Sequence, residues 1–179
     1  MGVVLVGGVH GVGKTTSIES ARSMLTKEVP VLKGSEIMAR ILGVTTEDLP
    51  HVDPERRNFA RQVMYDELRL ATNGVRDCHY CTYSDTGYEF PFATSADIGR
   101  AAVAVLIEAS VDVVHGRRLS IARRRPTDIA VIREQIELER EGADQAARRL
   151  GIPLKIINND DDLQLASSEL ATVFDAHIE

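Results

Sequence analysis

Eight residues near the start of the chain, Gly8-Val9-His10-Gly11-Val12-Gly13-Lys14-Thr15, fit the spacing G-x-x-x-x-G-K-[ST]. At ordinary glycine frequency, chance gives this pattern in fewer than about one in a hundred chains of this size. The residue types dictate a chemistry. Glycines let successive backbone N–H groups turn inward around an anion, and a helix opening just afterwards adds its favourable dipole. Lys14 then bridges β- and γ-phosphate oxygens of a triphosphate, Thr15 offers a hydroxyl to Mg²⁺, and Thr16 reaches the α-phosphate region. The expected nucleotide-contacting set is Gly8, Gly11, Val12, Gly13, Lys14, Thr15 and Thr16. The bland alternative is a glycine-rich turn with a solvated lysine. It leaves unexplained why a strand-like run precedes the motif and a helix-like run follows it.

Phosphate binding alone leaves open what becomes of the γ-phosphate. Transfer needs an acceptor site and groups that neutralise the charge of the transition state. Asp77-Cys78-His79 closes a predicted strand, where ligands gather in open α/β sheets. Asp77 is a candidate to order Mg²⁺, through water, or an acceptor hydroxyl, and His79 is a candidate to touch the acceptor. Arg117, Arg118, Arg123, Arg124 and Arg125 put five guanidiniums into nine residues. Such a segment could close over a triphosphate as a lid, with Arg118, Arg123 and Arg125 as its catalytic candidates. The alternatives are a solvated basic turn or an RNA-contact patch. Ser35, Arg57 and Arg61 are candidates for gripping an acceptor phosphate, against the reading that helix-surface arginines are merely solvated. Asn158-Asn159 follows the last predicted strand, and a loop there could contact a nucleobase, Asn158 being the named candidate. Cys78 and Cys81 lack the second pair of ligands that a structural zinc needs.

The elements that must position these groups follow from periodicity. Val3 to Gly7 is a short continuous apolar run ahead of glycines, the pattern of a strand buried on both faces. A helix is predicted from Lys14 to about Lys27, a strand over Val29–Leu32, and a helix capped by Ser35 and stopped at Gly43. Asp53-Pro54 pairs an N-cap with proline at the first helical position, for a helix to about Ala71. Residues 75–83 read as a strand entering an active-site loop, and 84–100 as a loop. A strand over Ala101–Ala109 follows, then a short helix from about Val111 to Leu119. Thr127 is the expected cap of a long helix over 128–149, with Gly151 at its end. A last strand over Leu154–Ile157 and a helix from about Asp161 to His177 complete the chain. Strands alternating with helices predict an α/β, three-layer fold around a parallel five-stranded sheet. Residues 1–179 read as one domain, with an acceptor-binding region over about 34–73 and a short arginine-rich lid over about 117–128.

Composition limits the partners. The 179 residues are 44% apolar, enough for a core, and 27 acidic against 21 basic side chains leave a net charge of −6. That balance argues against a domain built to coat nucleic acid. No apolar run approaches the roughly 20 residues that span a bilayer. Two cysteines cannot build a disulfide framework, which together with the absence of a signal-like start gives a cytoplasmic expectation. Homo-oligomerisation is left open.

Together these pieces resemble the archaeal-type adenylate kinases and related small P-loop nucleotide kinases, over nearly the whole chain. The resemblance rests on Gly8 to Thr16, Gly34-Ser35-Glu36, the Asp53-Pro54 helix, Asp77-x-His79, the arginine run ending in Asp128-Ile129, and Lys155 to Asn159. It implies transfer of the ATP γ-phosphate to a nucleoside monophosphate such as AMP, with ATP and Mg²⁺ as cofactors and a small-molecule acceptor as partner. Two features depart from the family pattern: Val75-Arg76-Asp77 is less apolar than a buried strand should be, and the loop Thr82–Ala93 is rich in tyrosine and phenylalanine, which suggests its own acceptor pocket. The readings carried forward are therefore a nucleoside monophosphate kinase, a kinase of a nucleoside or another small hydroxyl metabolite, and a regulatory ATPase.

Overall fold

The computed structural model describes residues 2–84, 87–93, 100–120 and 126–179. Its centre is β1 (Val3–Gly7), every residue of which is buried. β1 lies between two parallel neighbours in a sheet with helices packed on both faces, so no side of it meets water and the run is apolar throughout rather than alternating. The neighbours are β3 (Gly74–Asp77) and β6 (Ala101–Glu108); β2 (Val31–Lys33) and β7 (Leu154–Asn158) complete the five-stranded parallel sheet in the order β2-β3-β1-β6-β7. The register sets Val6 opposite Asp77 on one side of β1 and opposite Val105 on the other.

Alternation along β1 divides the core into two. Val4 and Val6 join Ile18 and Ala21 of α1 (Lys14–Ser23) and Leu170 and Phe174 of α6 (Leu163–His177) on one face. Val3 and Leu5 join Tyr80, Phe92 and the alanines 143, 146 and 147 of α5 (Ile129–Leu150) on the other. α2 (Gly34–Leu42) and α3 (Pro54–Leu70) pack on each other beyond β2, and α4 (Val111–Ser120) connects β6 towards α5. The fold is the expected α/β one, with helices on both faces of a parallel five-stranded sheet. Among the described residues, no helix is long and apolar enough to cross a membrane.

Local signals explain most boundaries. The Asp53 carboxylate accepts hydrogen bonds from Glu55 and Arg56 N–H, and Pro54 opens α3 as expected. Gly43 and Gly151 close α2 and α5 in the left-handed conformation. Three expectations are corrected. The cap of α5 is Asp128, which accepts from Ala130 and Val131 N–H; its carboxylate stands one residue after Thr127. Ser35 does not cap α2, which already begins at Gly34 with Lys33 before it. The stretch expected as loop after residue 83 contains half of a small antiparallel hairpin, β4 (Thr82–Ser84) with β5 (Gly87–Glu89), too short for periodicity to reveal.

The polar strand β3 has a packing account. Arg76 is buried between β2 and β1, and its guanidinium lies 5.0 Å from the centre of the Phe92 ring, in the turn that follows the hairpin. Phe92 and Tyr80, with ring centres 5.5 Å apart, carry the aromatic loop into the core.

α5 can sit on this segment only because residue 142 has no side chain. A Cβ there would lie 2.5 Å from Tyr80 O and 2.8 Å from its carbonyl carbon, which are backbone atoms that cannot swing aside. Gly116 in α4 has nothing within 4 Å of the same position. Gly142→Ala should therefore destabilise by about 1–3 kcal/mol through overpacking, whereas Gly116→Ala should stabilise by about 0.5–1 kcal/mol through helix propensity. Urea unfolding of both variants reads the contrast; a Gly142→Ala protein as stable as Gly116→Ala would refute the packing account.

Candidate active site

The turn after β1 passes through Gly13, whose φ of +87° places it in the left-handed region at the N-terminus of α1. A Cβ at Gly13 would also lie 2.6 Å from Asn159 Nδ2. Glycine is thus required there twice, by dihedral and by space. The first helical residue is Lys14, and its buried ammonium stands 2.9 Å from Asp77 Oδ1. Lys14 also donates to Cys78 O. The two ends of neighbouring strands are thereby joined across one cation.

Two cavities adjoin this pair. A cleft of about 420 Å³ is lined by His10, Gly11, Gly13, Lys14, Thr15, Thr16, His79, Arg117 and Asn159, among others. A groove of about 350 Å³ between α1 and β2 is lined by Thr15, Glu19, Arg22, Lys33, Glu36 and Asp77, among others. Thr15 belongs to both, and Lys14 and Asp77 stand one on each side. Lys33 is paired with Glu36 at 3.0 Å, while the buried Nε of Arg22 has no hydrogen-bond partner among the described residues.

Polar contacts fix the far wall of the cleft. Arg117 donates to Val12 O at 2.9 Å and to Asn159 O at 2.8 Å. Asn159 Nδ2 donates to Val12 O at 2.6 Å, and its buried Oδ1 has no partner among the described residues. An orphaned acceptor at the cleft, a glycine-built turn and an exposed Thr15 hydroxyl at a helix N-terminus fit a Mg²⁺-nucleotide.

Behind the turn lies Glu139 of α5, 2% exposed. One carboxylate oxygen accepts from Gly8 N–H and Tyr80 N–H, and the other from Cys81 N–H, all at 2.9 Å. Burial works against its charge, but the His79 ring 3.8 Å away, the Tyr80 N–H and Lys14 outweigh it and hold the carboxyl below its ordinary range. His79 itself is pushed down, first by burial and then by Lys14. Its ring meets that of His10 edge-on, centres 4.4 Å apart.

The structure brings together Gly11, Gly13, Lys14, Thr15, Thr16, Asp77 and His79 of the expected set, with Gly8 and Val12 supporting the turn through backbone groups. Arg118 stands elsewhere than expected. It is 3% exposed, and its guanidinium donates to His10 O, Pro126 O and Gln135 Oε1, so it braces the turn from behind. Arg117, one residue earlier, faces the cleft instead. Arg123 and Arg125 lie outside the described residues. Asn158 is exposed and bonds to Asp160, while Asn159 faces the cleft. Ser35 is exposed, Arg57 donates to Pro50 O at 3.3 Å, and Arg61 donates to Asn58 at 3.3 Å; none lines either cavity. Phe90 and Phe92 of the aromatic loop line a separate cavity against α5, which shares no residue with the other two. Sequence reasoning missed Glu139, which one signal marked: an acidic side chain near the apolar stripe Ile132, Ile136, Ala143 of α5.

No family model and no curated protein matches the chain in sequence. In structure it is similar to shikimate kinase from Bacteroides thetaiotaomicron, with TM-score 0.66 and 17% identity over 97% of this chain and 98% of that one. Shikimate kinase from Acinetobacter baumannii in complex with shikimate gives TM-score 0.58 and 16% identity over 97% and 90%. A gluconokinase from Sinorhizobium meliloti 1021 gives TM-score 0.55 and 16% identity over 98% and 94%. At such identities the likeness shows the fold alone, and the three structures are two shikimate kinases and a gluconokinase, so the adenylate-kinase resemblance gains no specific support from them.

The two cysteines give a direct check on this interior. Burial pushes the Cys78 thiol up to about 12 and the Cys81 thiol up to about 11. At pH 8 the thiolate fraction of each is then about a thousandth or less, and the thiolate is the reactive form. A disulfide reagent should leave both unlabelled in the native protein and titrate both in guanidinium; prompt native labelling would show that the segment around Lys14 is open.

Proposed function

We propose that the chain is an ATP-dependent phosphotransferase that moves the γ-phosphate onto a hydroxyl of a small acceptor. One observation carries the reading. The nucleotide-type cleft and a second, polar groove meet at Thr15, with the Lys14–Asp77 pair between them. Two substrates held on the two sides of one cation is what in-line transfer requires.

In this reading the turn from Gly8 to Thr16 cradles the phosphates, and Arg117 and Asn159 hold the base side. Mg²⁺, held by the Thr15 hydroxyl and through water by Asp77, supplies charge neutralisation when bound. Lys14 leaves Asp77 in part to meet the β- and γ-oxygens, where its charge stabilises the transition state. The acceptor oxygen bonds to the γ-phosphorus as the bond to the bridging oxygen breaks, and the electron pair departs with ADP. Asp77 orients the incoming hydroxyl and takes up its proton as the new bond forms, passing it on to solvent. Arg118 acts at one remove, by holding His10 and the turn; Arg123 and Arg125 are proposed for the lid.

The acceptor is a small hydroxylated metabolite. The groove mixes Glu19, Glu36 and Asp77 with Lys33, which is already paired. That suits an uncharged polyol face better than a dianionic phosphate. The similar structures named above are kinases of small metabolites. A nucleoside monophosphate such as AMP is the second reading, favoured by Arg22, which lines the same groove and whose buried Nε has no partner among the described residues.

ADP release from Mg-ATP should rise with one member of a panel of hydroxylated metabolites, nucleosides and nucleoside monophosphates. Stimulation by AMP alone would decide for the second reading. A flat panel with ATP bound and only slow hydrolysis would refute phosphotransfer and leave the regulatory ATPase. Lys14→Ala should lower kcat by about a hundredfold or more, and a variant with full turnover would refute the scheme.

A further inference from the structure

Among the described residues, Glu139 is the only buried acidic side chain. Its three acceptor contacts join parts of the chain that are far apart in sequence: Gly8 on the phosphate side, Tyr80 and Cys81 beyond β3. Gly8 and Tyr80 donate to the same oxygen atom. In a dry interior, charge-assisted bonds to one carboxylate are mutually dependent, so a shift of one donor alters the others.

The segment 78–81 is gripped at both ends. Cys78 O accepts from Lys14, while Tyr80 N–H and Cys81 N–H donate to Glu139. Tyr80 is pinned further: its hydroxyl lies 3.2 Å from Leu5 O and Val105 O, and its carbonyl meets Gly142, three residues after Glu139 on α5. Between these grips stands His79, whose ring lines the cleft. The Gly8 N–H points back into the carboxylate instead of into the cleft, so any tightening of the turn pulls on Glu139.

We infer that Glu139 is a positioning residue that relays phosphate occupancy of the turn to segment 78–81, and so sets where His79 stands in the cleft. This rests on the nucleotide-binding half of the reading above and needs no acceptor.

Backbone amide NMR of the full chain, titrated with Mg-ADP, tests it. In the native protein the Tyr80 and Cys81 amides should shift along the same saturation curve as Gly11 and Gly13. Glu139→Gln keeps the shape but offers one acceptor oxygen and an NH₂ that opposes an N–H donor. That variant should keep the Gly11 and Gly13 shifts and lose those of Tyr80 and Cys81. Shifts at Tyr80 and Cys81 that persist unchanged in Glu139→Gln would overturn the inference. So would their absence in the native protein while Gly11 and Gly13 saturate, a result that stands even if the variant does not fold. ADP that moves no amide at all would remove nucleotide binding together with the relay.

Discussion

The parallel register that sets Val6 opposite Asp77 is the constraint on which the site depends. It brings the end of β3 beside the turn that leaves β1, so that the first residue of α1, Lys14, can reach an acid 63 residues further along the chain, Asp77. Nothing local would put Lys14 and Asp77 together. The pair exists because β1 and β3 are neighbours in an order, β2-β3-β1-β6-β7, that places the chain reversal next to the phosphate turn. That is where open parallel sheets present their ligand sites. The same register buries Arg76, and the aromatic turn with Phe92 answers it. The oddly polar strand and the aromatic loop, two separate puzzles in the sequence, are one packing solution.

α5 supplies the second support. Gln135 and Glu139 are four residues apart and so share a face of that helix. Gln135 holds Arg118, which holds His10 O and Pro126 O; Glu139 holds Gly8, Tyr80 and Cys81. One helix thus grips the phosphate turn twice and the segment after β3 once. Burying an arginine and a carboxylate is costly unless every contact is made. Here the hydrogen bonds just named engage both groups, and the gain is a turn whose backbone is set before any ligand arrives.

Much of this was legible. β1, α3, β6 and β7, with the start of α1, were readable because each is a run of the right period with a turn or cap residue at its edge; β2, expected over 29–32, lies at Val31–Lys33, and β3, expected within 75–83, ends at Asp77. The strand–turn–helix around Gly8 to Thr15 was readable because its marking residues stand at fixed spacing within one local segment. What escaped is non-local. The hairpin from Thr82 to Glu89 has strands of three residues, shorter than any period can mark. Glu139 looks like one more acid in a charged helix; its place on the stripe of Ile132, Ile136 and Ala143 hints at burial, but its partners Gly8, Tyr80 and Cys81 are far away in sequence. The polar groove is a product of α1 meeting β2 and has no signature in either.

The arginines show most sharply why a charge run is an incomplete message. Arg117 and Arg118 are adjacent on α4 and about 100° apart around its axis. One faces the cleft and bonds to Val12 O and Asn159 O; the other turns inward and is sealed by three protein acceptors. The run in the sequence is symmetrical between them, so composition alone ranks them equally. Helical phase decides, and the phase is set by Val114, which is buried in the core on the same helix. Val111, on the same helix, also packs against that core; Arg118, seven positions after Val111 and four after Val114, points between the two, whereas Arg117 points outside them, to the rim. Arg118 and Arg117 are therefore two devices: an internal brace behind the turn, and a rim that faces the cleft.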